Sequence, residues 1–424
     1  MKPFLGCIAD DFTGATDLAN MLVRGGMRVV QYLGTPDRAT PIVDDVEAVV
    51  IALKSRSVPP AEAINLSLKA LESLKTAGVR RFYFKYCSTF DSTDAGNIGP
   101  VAEAMMDALG VDQTIVCPAF PENGRTVYLG HLFVHGQLLN ESGMANHPLT
   151  PMKDANLVRV LQRQSRRRVG LLSITAVANG PDAIVRGLSE KSGREELVIT
   201  DAFCERHLRD IANAVAGMML VTGGSGIARG LPDAYRRRGE LSAMAVPDMP
   251  PRMPGFSAVL AGSCSEATRR QVKAFRAWRP AIAIDPISLF QRNPGTVVQE
   301  ALAKIADALP SGPVLLYTTA APHEVAAHQQ QFGSEAVAHA VEQALGAAAR
   351  GLIHLGVCKL VVAGGETAGA VLSALGVRAL RIGSQIEPGV PWTYTQDAPQ
   401  LALALKSGNF GSEQFFRNAL EMLP

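Results

Sequence analysis

The chain has 424 residues, of which 47% are hydrophobic and 19% charged, enough apolar material for sizeable cores and a composition unlike that of a disordered chain. Lys and Arg number 41 against 39 Asp and Glu, a formal net charge of +2, which disfavours a broad polyanion-binding surface but leaves room for a local anion pocket. Aromatic residues are sparse at 6%, so base stacking is a poor expectation.

The N-terminus, MKPFLGCIADD, carries an apolar run too short for a signal peptide. Six scattered cysteines without a CxxC pair fit reduced thiols and a cytoplasmic setting. The first predicted strand, LGCIADD, leads into a helix from about Thr16 to Arg24. Between them lies Ala9-Asp10-Asp11-Phe12-Thr13-Gly14-Ala15-Thr16-Asp17. A helix N-cap needs one acid only. Two adjacent acids at a strand end can also take a proton from a hydroxyl or hold a cation, so Asp10 and Asp11 are candidate catalytic groups.

The strand EAVVIAL ends in Lys54-Ser55-Arg56-Ser57, a cation and hydroxyl set suited to a carboxylate or phosphate, and a helix from Pro60 to Ala77 follows. The strand RRFYFKY carries Lys85 into the loop Cys87-Ser88-Thr89-Phe90-Asp91-Ser92-Thr93, and a helix spans Asn97–Leu109. A lysine in an apolar strand needs a partner or a ligand. Lys85, Ser88, Thr89 and Asp91 are therefore candidate substrate contacts, in a loop whose hydroxyl density exceeds what turn chemistry needs. QTIVCPAF reads as a further strand. Beyond it, PENGRTVYLGH and His147-Pro148 offer Arg125 and two histidines without metal-ligand spacing, and lone histidines are usually structural. The basic runs Arg166–Arg168 and Arg236–Arg238 read as solvated surface.

Ile211 to Ala228 is uncharged over 18 residues, yet its glycines, polar residues and close charged flanks favour a buried helix end, a strand and a glycine turn over a membrane span. That turn, Thr222-Gly223-Gly224-Ser225-Gly226, has Arg229 where a dinucleotide fingerprint needs its third glycine. Four prolines within Met244–Phe256 mark a linker, giving an N-terminal domain over 1–243, a linker over 244–256 and a C-terminal domain over 257–424. The second half repeats the strand-turn-helix style in FSAVLAG and SEATRRQVKAF, in GPVLLYTTA, in an Ala-rich helix from Glu335 to Leu355 and in KLVVAGG with its helix. Three glycine turns stand out, at Gly262-Ser263-Cys264-Ser265, Gly364-Gly365-Glu366-Thr367 and Gly408-Asn409-Phe410-Gly411. Glycine lets backbone amides approach phosphate oxygens, and a helix N-terminus adds a favourable dipole. None is a Walker A loop, but three in one domain make a nucleotide-phosphate site a reasonable expectation. Strands alternating with helices predict an α/β fold of two domains, each with a mainly parallel sheet flanked by helices, and an active site in the interdomain cleft.

The segments ADDFTGATD, KYCSTFDST with GNIGPV, NGRTVYLGHLFV, HPLTPM, GSCSEATRRQV, AGGETAGAV, IEPGVPW and LKSGNFG resemble the four-carbon acid sugar kinase family from about residue 5 to about residue 411. The interval Phe90 to Ala95 between Ser88-Thr89 and Gly96-Asn97 favours the oxo-tetronate branch. The resemblance implies an N-terminal domain for the acid sugar and a C-terminal domain for ATP. It carries substrate positions onto Asp10, Asp11, Arg56 and Lys85–Asp91, and ATP positions onto Ser263 or Ser257, Gly364, Gly365, Glu366, Thr367 and Gly408. The implied reaction is ATP- and Mg²⁺-dependent phosphorylation of a terminal hydroxyl, 3-oxo-tetronate to its 4-phosphate. On this reading Asp11 or Asp10 is the base, Arg56 or Lys85 holds the substrate carboxylate, and Glu366 is offered as a metal or water ligand with the metal set itself open. The partners implied are a small sugar acid and ATP, with no nucleic acid and no membrane, and a homodimer is an open option. The alternative within the family is a threonate or erythronate kinase. Outside it stand a nicotinamide-dependent hydroxy-acid dehydrogenase and a non-catalytic sugar-acid sensor.

Overall fold

The computed structural model describes residues 2–37, 41–43, 45–146, 150–242, 244, 251–320, 327, 330–395 and 399–423. His147, Pro148 and the stretch 245–250 of the proline-rich linker lie outside them. The chain divides into two compact units, Met1–Pro247 and Asp248–Pro424.

In the N-terminal unit the parallel strands are β1 (Leu5–Ala9), β2 (Val29–Leu33), β3 (Ala48–Ala52), β4 (Arg81–Lys85) and β5 (Thr114–Cys117). Three short strands, β6 (Arg125–Tyr128), β7 (His131–Val134) and β8 (Gln137–Leu138), form a separate antiparallel sheet. β9 (Val169–Leu172), β10 (Leu197–Thr200) and β11 (Leu220–Gly223) complete the main sheet of this unit, in the order β2-β3-β1-β4-β11-β5-β10-β9. β1 and β3 are buried throughout, as expected of strands covered on both faces by helices. The chain leaves β1 to build β2 and β3 on one side and returns to add β4 on the other. In sheets of this kind ligands gather at the carboxyl ends of the strands where such a reversal occurs. Register sets what stands there: Ala9 lies opposite both Ala52 and Lys85, so Asp10, the loop holding Arg56 and the end of β4 emerge side by side.

The C-terminal unit contains β12 (Phe256–Ala261), β13 (Ala281–Ala283), β14 (Val314–Tyr317) and β15 (Val357–Ala363), then β16 (Ala379–Glu387), β17 (Val390–Tyr394) and β18 (Ala402–Lys406). Their order is β13-β14-β12-β15-β18-β17-β16. The first five run parallel, and β17 pairs antiparallel with both β18 and β16. The α/β architecture predicted from the strand-helix alternation is the observed one. The β16–β17 hairpin, carrying IEPGVPW, and the small β6–β8 sheet were not distinguished by that alternation. The core between the sheet and its helices includes Val259, Phe275, Val361, Trp392, Phe415 and Phe416.

Several expectations resolve at this level. The uncharged stretch is the end of the helix Glu205–Val215, then β11 and a glycine turn. Among the described residues no helix is long and apolar enough to cross a membrane. The glycines of that turn answer to close packing. A Cβ on Gly223, Gly224 or Gly226 would lie 2.5, 2.8 or 2.6 Å from the carbonyl oxygens of Cys117, Pro118 and Ala119. The basic runs are better paired than solvated surface: Arg167 bonds Asp107 and Glu196, and Arg236 donates to the carbonyls of Gly25 and Gly26. All six cysteines are free thiols.

Candidate functional site

At the end of β1, Asp11 caps the helix Phe12–Arg24, which begins four residues earlier than the sequence suggested. Its carboxylate accepts from the Gly14 amide at 3.1 Å and from the Thr13 hydroxyl at 2.8 Å, so the capping role read as the simple explanation is real. It does not account for the rest. Arg56 donates through Nε and Nη2 to the two oxygens of Asp10 at 2.9 and 2.7 Å, and through Nη2 to Asp11 at 2.7 Å. Nη1 of Arg56 stands 3.9 Å from Asp91. One guanidinium thus gathers three acids from two segments, a fork geometry that lysine could not reproduce.

Backbone and side-chain bonds fix the loop that delivers this arginine. The amides of Ser55 and Arg56 donate to the Asp10 carbonyl, and Asn97 Nδ2 donates to the carbonyls of Ser55, Arg56 and Val58 at 2.7, 3.1 and 2.9 Å. Asn97 was legible only as a residue of GNIGPV. Lys85 is buried at the end of β4. A Cβ on Gly14 would fall 2.2 Å from Asp11 Oδ1 and 2.7 Å from Lys85 Nζ, so glycine is what lets the first helical turn approach this pair. Among the described residues the buried Oδ1 of Asp17, one turn further along, has no hydrogen-bond partner.

The loop after β4 continues the site. The Thr89 hydroxyl donates to Asp91 at 2.6 Å and lies 2.9 Å from Cys87 Sγ. Phe90 is buried with φ +55°, an unfavourable conformation for a side chain of its size, held by edge packing against Tyr86. Ser88 sits half-buried beside Gly224. Arg125 and His131, in contrast, lie on the small sheet. Arg125 donates to the Asn123 carbonyl, and the His131 ring bonds the Leu129 carbonyl and faces Asn156.

Burial pushes the carboxyls of Asp10 and Asp17 upward, the first against the pull of Arg56 and the second against that of Lys85. Burial acts on Asp11 as well, but Arg56, Lys85, Thr13 and Gly14 outweigh it and hold that carboxyl below its usual range. Burial works against the charge of Arg56, yet Asp10 and Asp11 outweigh it and keep the guanidinium protonated. Exposure separates the two adjacent acids: the Asp10 side chain is 8% exposed and the Asp11 side chain 26%.

In the C-terminal unit the three glycine turns meet at the carboxyl ends of the adjacent strands β12, β15 and β18. The Gly262 and Ser263 amides donate to the Ala363 carbonyl, and the Gly364 amide to that of Lys406. Gly364 has φ +127° and would place a Cβ 2.7 Å from Thr367 Oγ1. A Cβ on Gly408 would lie 2.3 Å from Ser263 Oγ. Two helices begin here, Glu266–Arg276 capped by Ser265 and Gly365–Ala374 after Gly364, so Gly365, Glu366 and Thr367 form a first helical turn with free amides. Ser263, Gly364, Gly365, Glu366, Thr367 and Gly408 are therefore brought together. Ser257 is not: it is the second residue of β12, opposite Lys359, about 13 Å back along the strand from Ala261 at 3.3 Å per residue.

The sequence reading passed over Lys406, the last residue of β18. It is fully buried, and Nζ donates to the Thr268 hydroxyl and to the carbonyls of Ser407 and Gly408. Its signal was available, a lysine closing the apolar run LALAL directly before Ser407-Gly408.

Of the two α/β units, one carries an acid–guanidinium cluster and the other converging glycine turns, an arrangement that suits a two-substrate enzyme with a polar metabolite and a phosphorylated nucleotide. Residues 5–231 match the family described as a sugar-binding N-terminal domain, and residues 258–416 that of a nucleotide-binding C-terminal domain. The chain is 56% identical over 423 residues to a 3-oxo-tetronate kinase of Burkholderia multivorans, covering 100% of this chain and 98% of that one. It is 43% identical over 419 residues to a 3-oxo-tetronate kinase of Salmonella typhimurium, with 98% of each chain covered. Crystal structures of proteins from Salmonella typhimurium LT2 and Haemophilus influenzae superpose with TM-scores of 0.90 and 0.83 at 41% and 42% identity, over 99% of this chain and 99% and 100% of theirs. The chain belongs to the four-carbon acid sugar kinase family.

Proposed function

We propose that this protein is an ATP-dependent kinase that phosphorylates the terminal hydroxyl of 3-oxo-tetronate, giving 3-oxo-tetronate 4-phosphate and ADP. The observation that carries the reading is the whole-chain likeness to enzymes named for that reaction, at 56% identity. The two clusters described above supply chemistry that fits it.

Phosphoryl transfer depends on positioning and charge neutralisation more than on covalent assistance. The fork of Arg56 is occupied by Asp10, so Lys85 is assigned the substrate carboxylate. Ser88, Thr89 and Asp91 offer donors and acceptors to the carbonyl and hydroxyls of the acid. Asp11, the more exposed of the adjacent acids, takes the proton from the C4 hydroxyl as its oxygen bonds to the γ-phosphorus and the bond to the bridging oxygen of ADP breaks. Asp10 and Arg56 hold that carboxylate in place. Amides and hydroxyls around Ser263, Gly364, Gly365, Thr367 and Gly408 grip the phosphates. Transfer then requires the terminal hydroxyl to reach the γ-phosphorus with water excluded.

Among the described residues no group of three or more His, Cys, Asp or Glu side chains could form a metal cage. Mg²⁺ commonly keeps several waters and takes one or two carboxylates plus substrate phosphates, and the exposed Glu366 at the turn fits that need. Bound there, the ion would neutralise charge on the phosphates. Six free thiols suit a reducing compartment such as the cytoplasm.

The test is ADP release over a panel of four-carbon acids. Turnover is expected with 3-oxo-tetronate, one ADP per acid consumed, and at least tenfold lower kcat/KM with D- and L-threonate and erythronate. ADP release no faster than the acid-free background with every member of the panel overturns the reading.

A further inference from the structure

The turn that closes β18 contains a charge without a counter-charge among the described residues. Lys406 is 0% exposed and uses all three of its N–H donors, at 3.1 Å to Thr268 Oγ1, 2.9 Å to the Ser407 carbonyl and 3.0 Å to the Gly408 carbonyl. Every partner is neutral. Its register partner on β15 is Ala363. The helix Glu266–Arg276 turns Thr268 and Gln271 inward and leaves Glu266, Arg270 and Lys273 exposed, with Arg269 half-buried. The helix Gly365–Ala374 buries Thr367 and exposes Glu366. None of these ionisable groups forms an ion pair or hydrogen bond with the ammonium among the described residues, and burial alone pulls its pKa down to about 7.

A buried ammonium lacking an anion is expensive, and an apolar side chain would complete the buried strand ALALK at lower cost. Nor does a helix C-terminus explain the cation, since Lys406 ends a strand. What distinguishes the position is its place in the knot of glycine turns. The Gly408 carbonyl accepts from Lys406 Nζ, from Ser265 Oγ at 2.6 Å and from Thr268 Oγ1 at 2.9 Å, while the Lys406 carbonyl accepts from the Gly364 amide. The ammonium thus pulls two carbonyl oxygens of the turn inward, beside the two helix N-termini whose amides suit an anion.

We propose that Lys406 is a positioning residue of the nucleotide site, fixing the Ser407–Gly408 turn through its carbonyls and providing the buried positive charge that the nucleotide phosphates balance. The inference deepens the kinase reading and rests on it. An anion arriving at the turns favours the charged form of the lysine, so nucleotide binding near neutral pH takes up a fraction of a proton, and affinity falls as pH rises above about 7.

The test is calorimetric titration of the full chain with MgADP and with a non-hydrolysable MgATP analogue, in two buffers of different ionisation enthalpy. Wild type is expected to bind with net proton uptake. Lys406→Met is expected to bind tenfold or more weakly without that uptake, with the KM for 3-oxo-tetronate unchanged and the melting temperature of the ligand-free chain not lowered. Lys406→Arg, always charged, is expected to retain most of the affinity and lose the pH dependence. Wild-type affinity and proton uptake in Lys406→Met overturn the inference alone. So does equal loss of binding in both variants with a lowered melting temperature, which marks a purely structural role. Wild type that binds neither nucleotide sinks the kinase reading, and the inference with it.

Discussion

Asp11→Asn is expected to lower kcat by roughly 10²–10⁴, the usual effect of removing a general base, while leaving the fold nearly unchanged. The separation of the two effects follows from geometry. Asn caps a helix about as well as Asp, so the acceptor for the Gly14 amide survives the change. The Arg56 fork on Asp10 also survives, because only the additional contact from Nη2 to Asp11 is weakened. Steady-state ADP release reads the first effect and a thermal melt the second. The control is Asp10→Asn. That carboxylate is the more enclosed and burial already pushes its pKa up, so a neutral amide there is expected to cost turnover far less than Asp11→Asn does. Turnover near wild type in both variants removes the base from this pair of acids.

Arg56→Met carries the largest expected stability effect. It leaves Asp10 and Asp11 facing each other without the guanidinium that bonds both, and Asp91 without its cation at 3.9 Å. Removing one member of a buried ion pair typically costs about 3–5 kcal/mol, because the other charge stays buried. The same change is expected to lower turnover strongly, since Asp11 loses the guanidinium that orients it while the loop keeps its backbone bonds and its bonds to Asn97. The deficit should shrink on acidification. Without Arg56 the folded-state pKa of Asp10, already raised by burial, rises further above its unfolded value. Protonation then removes the uncompensated charge as pH falls. Urea unfolding of variant and wild type between pH 5 and pH 8 checks this: the gap should narrow toward pH 5. A constant gap would mean that the loss is one of packing rather than charge.

The fold class was legible because strand-helix alternation with glycine-rich strand ends is a direct consequence of covering a parallel sheet on both faces. Asp10, Asp11, Arg56 and Lys85 were legible because polar residues at the ends of apolar strands have few structural reasons to be there. Their division of labour was not. Register places Ala9 between Ala52 and Lys85, and only that adjacency shows Arg56 gripping Asp10 with Lys85 standing on the other side. Asn97 and Lys406 escaped for another reason. Each acts on backbone carbonyls, of Ser55, Arg56 and Val58 in one case and of Ser407 and Gly408 in the other, so although Lys406 stands out as a lysine closing an apolar strand, what either side chain binds leaves no mark in a sequence. Ser257 and Ser263 could not be separated by spacing, whereas the extended run of β12 sets them at different levels of the sheet. The β16–β17 hairpin was hidden because antiparallel pairing through Glu387-Pro388-Gly389-Val390 breaks the alternation on which the reading relied.

The most direct measurement is a crystal structure of the protein with a non-hydrolysable ATP analogue, Mg²⁺ and 3-oxo-tetronate. The account predicts phosphates seated on the turns at Ser263, Gly364–Thr367 and Gly408, the acid's carboxylate on Lys85 and its terminal hydroxyl within hydrogen-bond reach of Asp11. A nucleotide lodged in the Asp11–Lys85 cluster, or an acid bound away from it, would contradict the account.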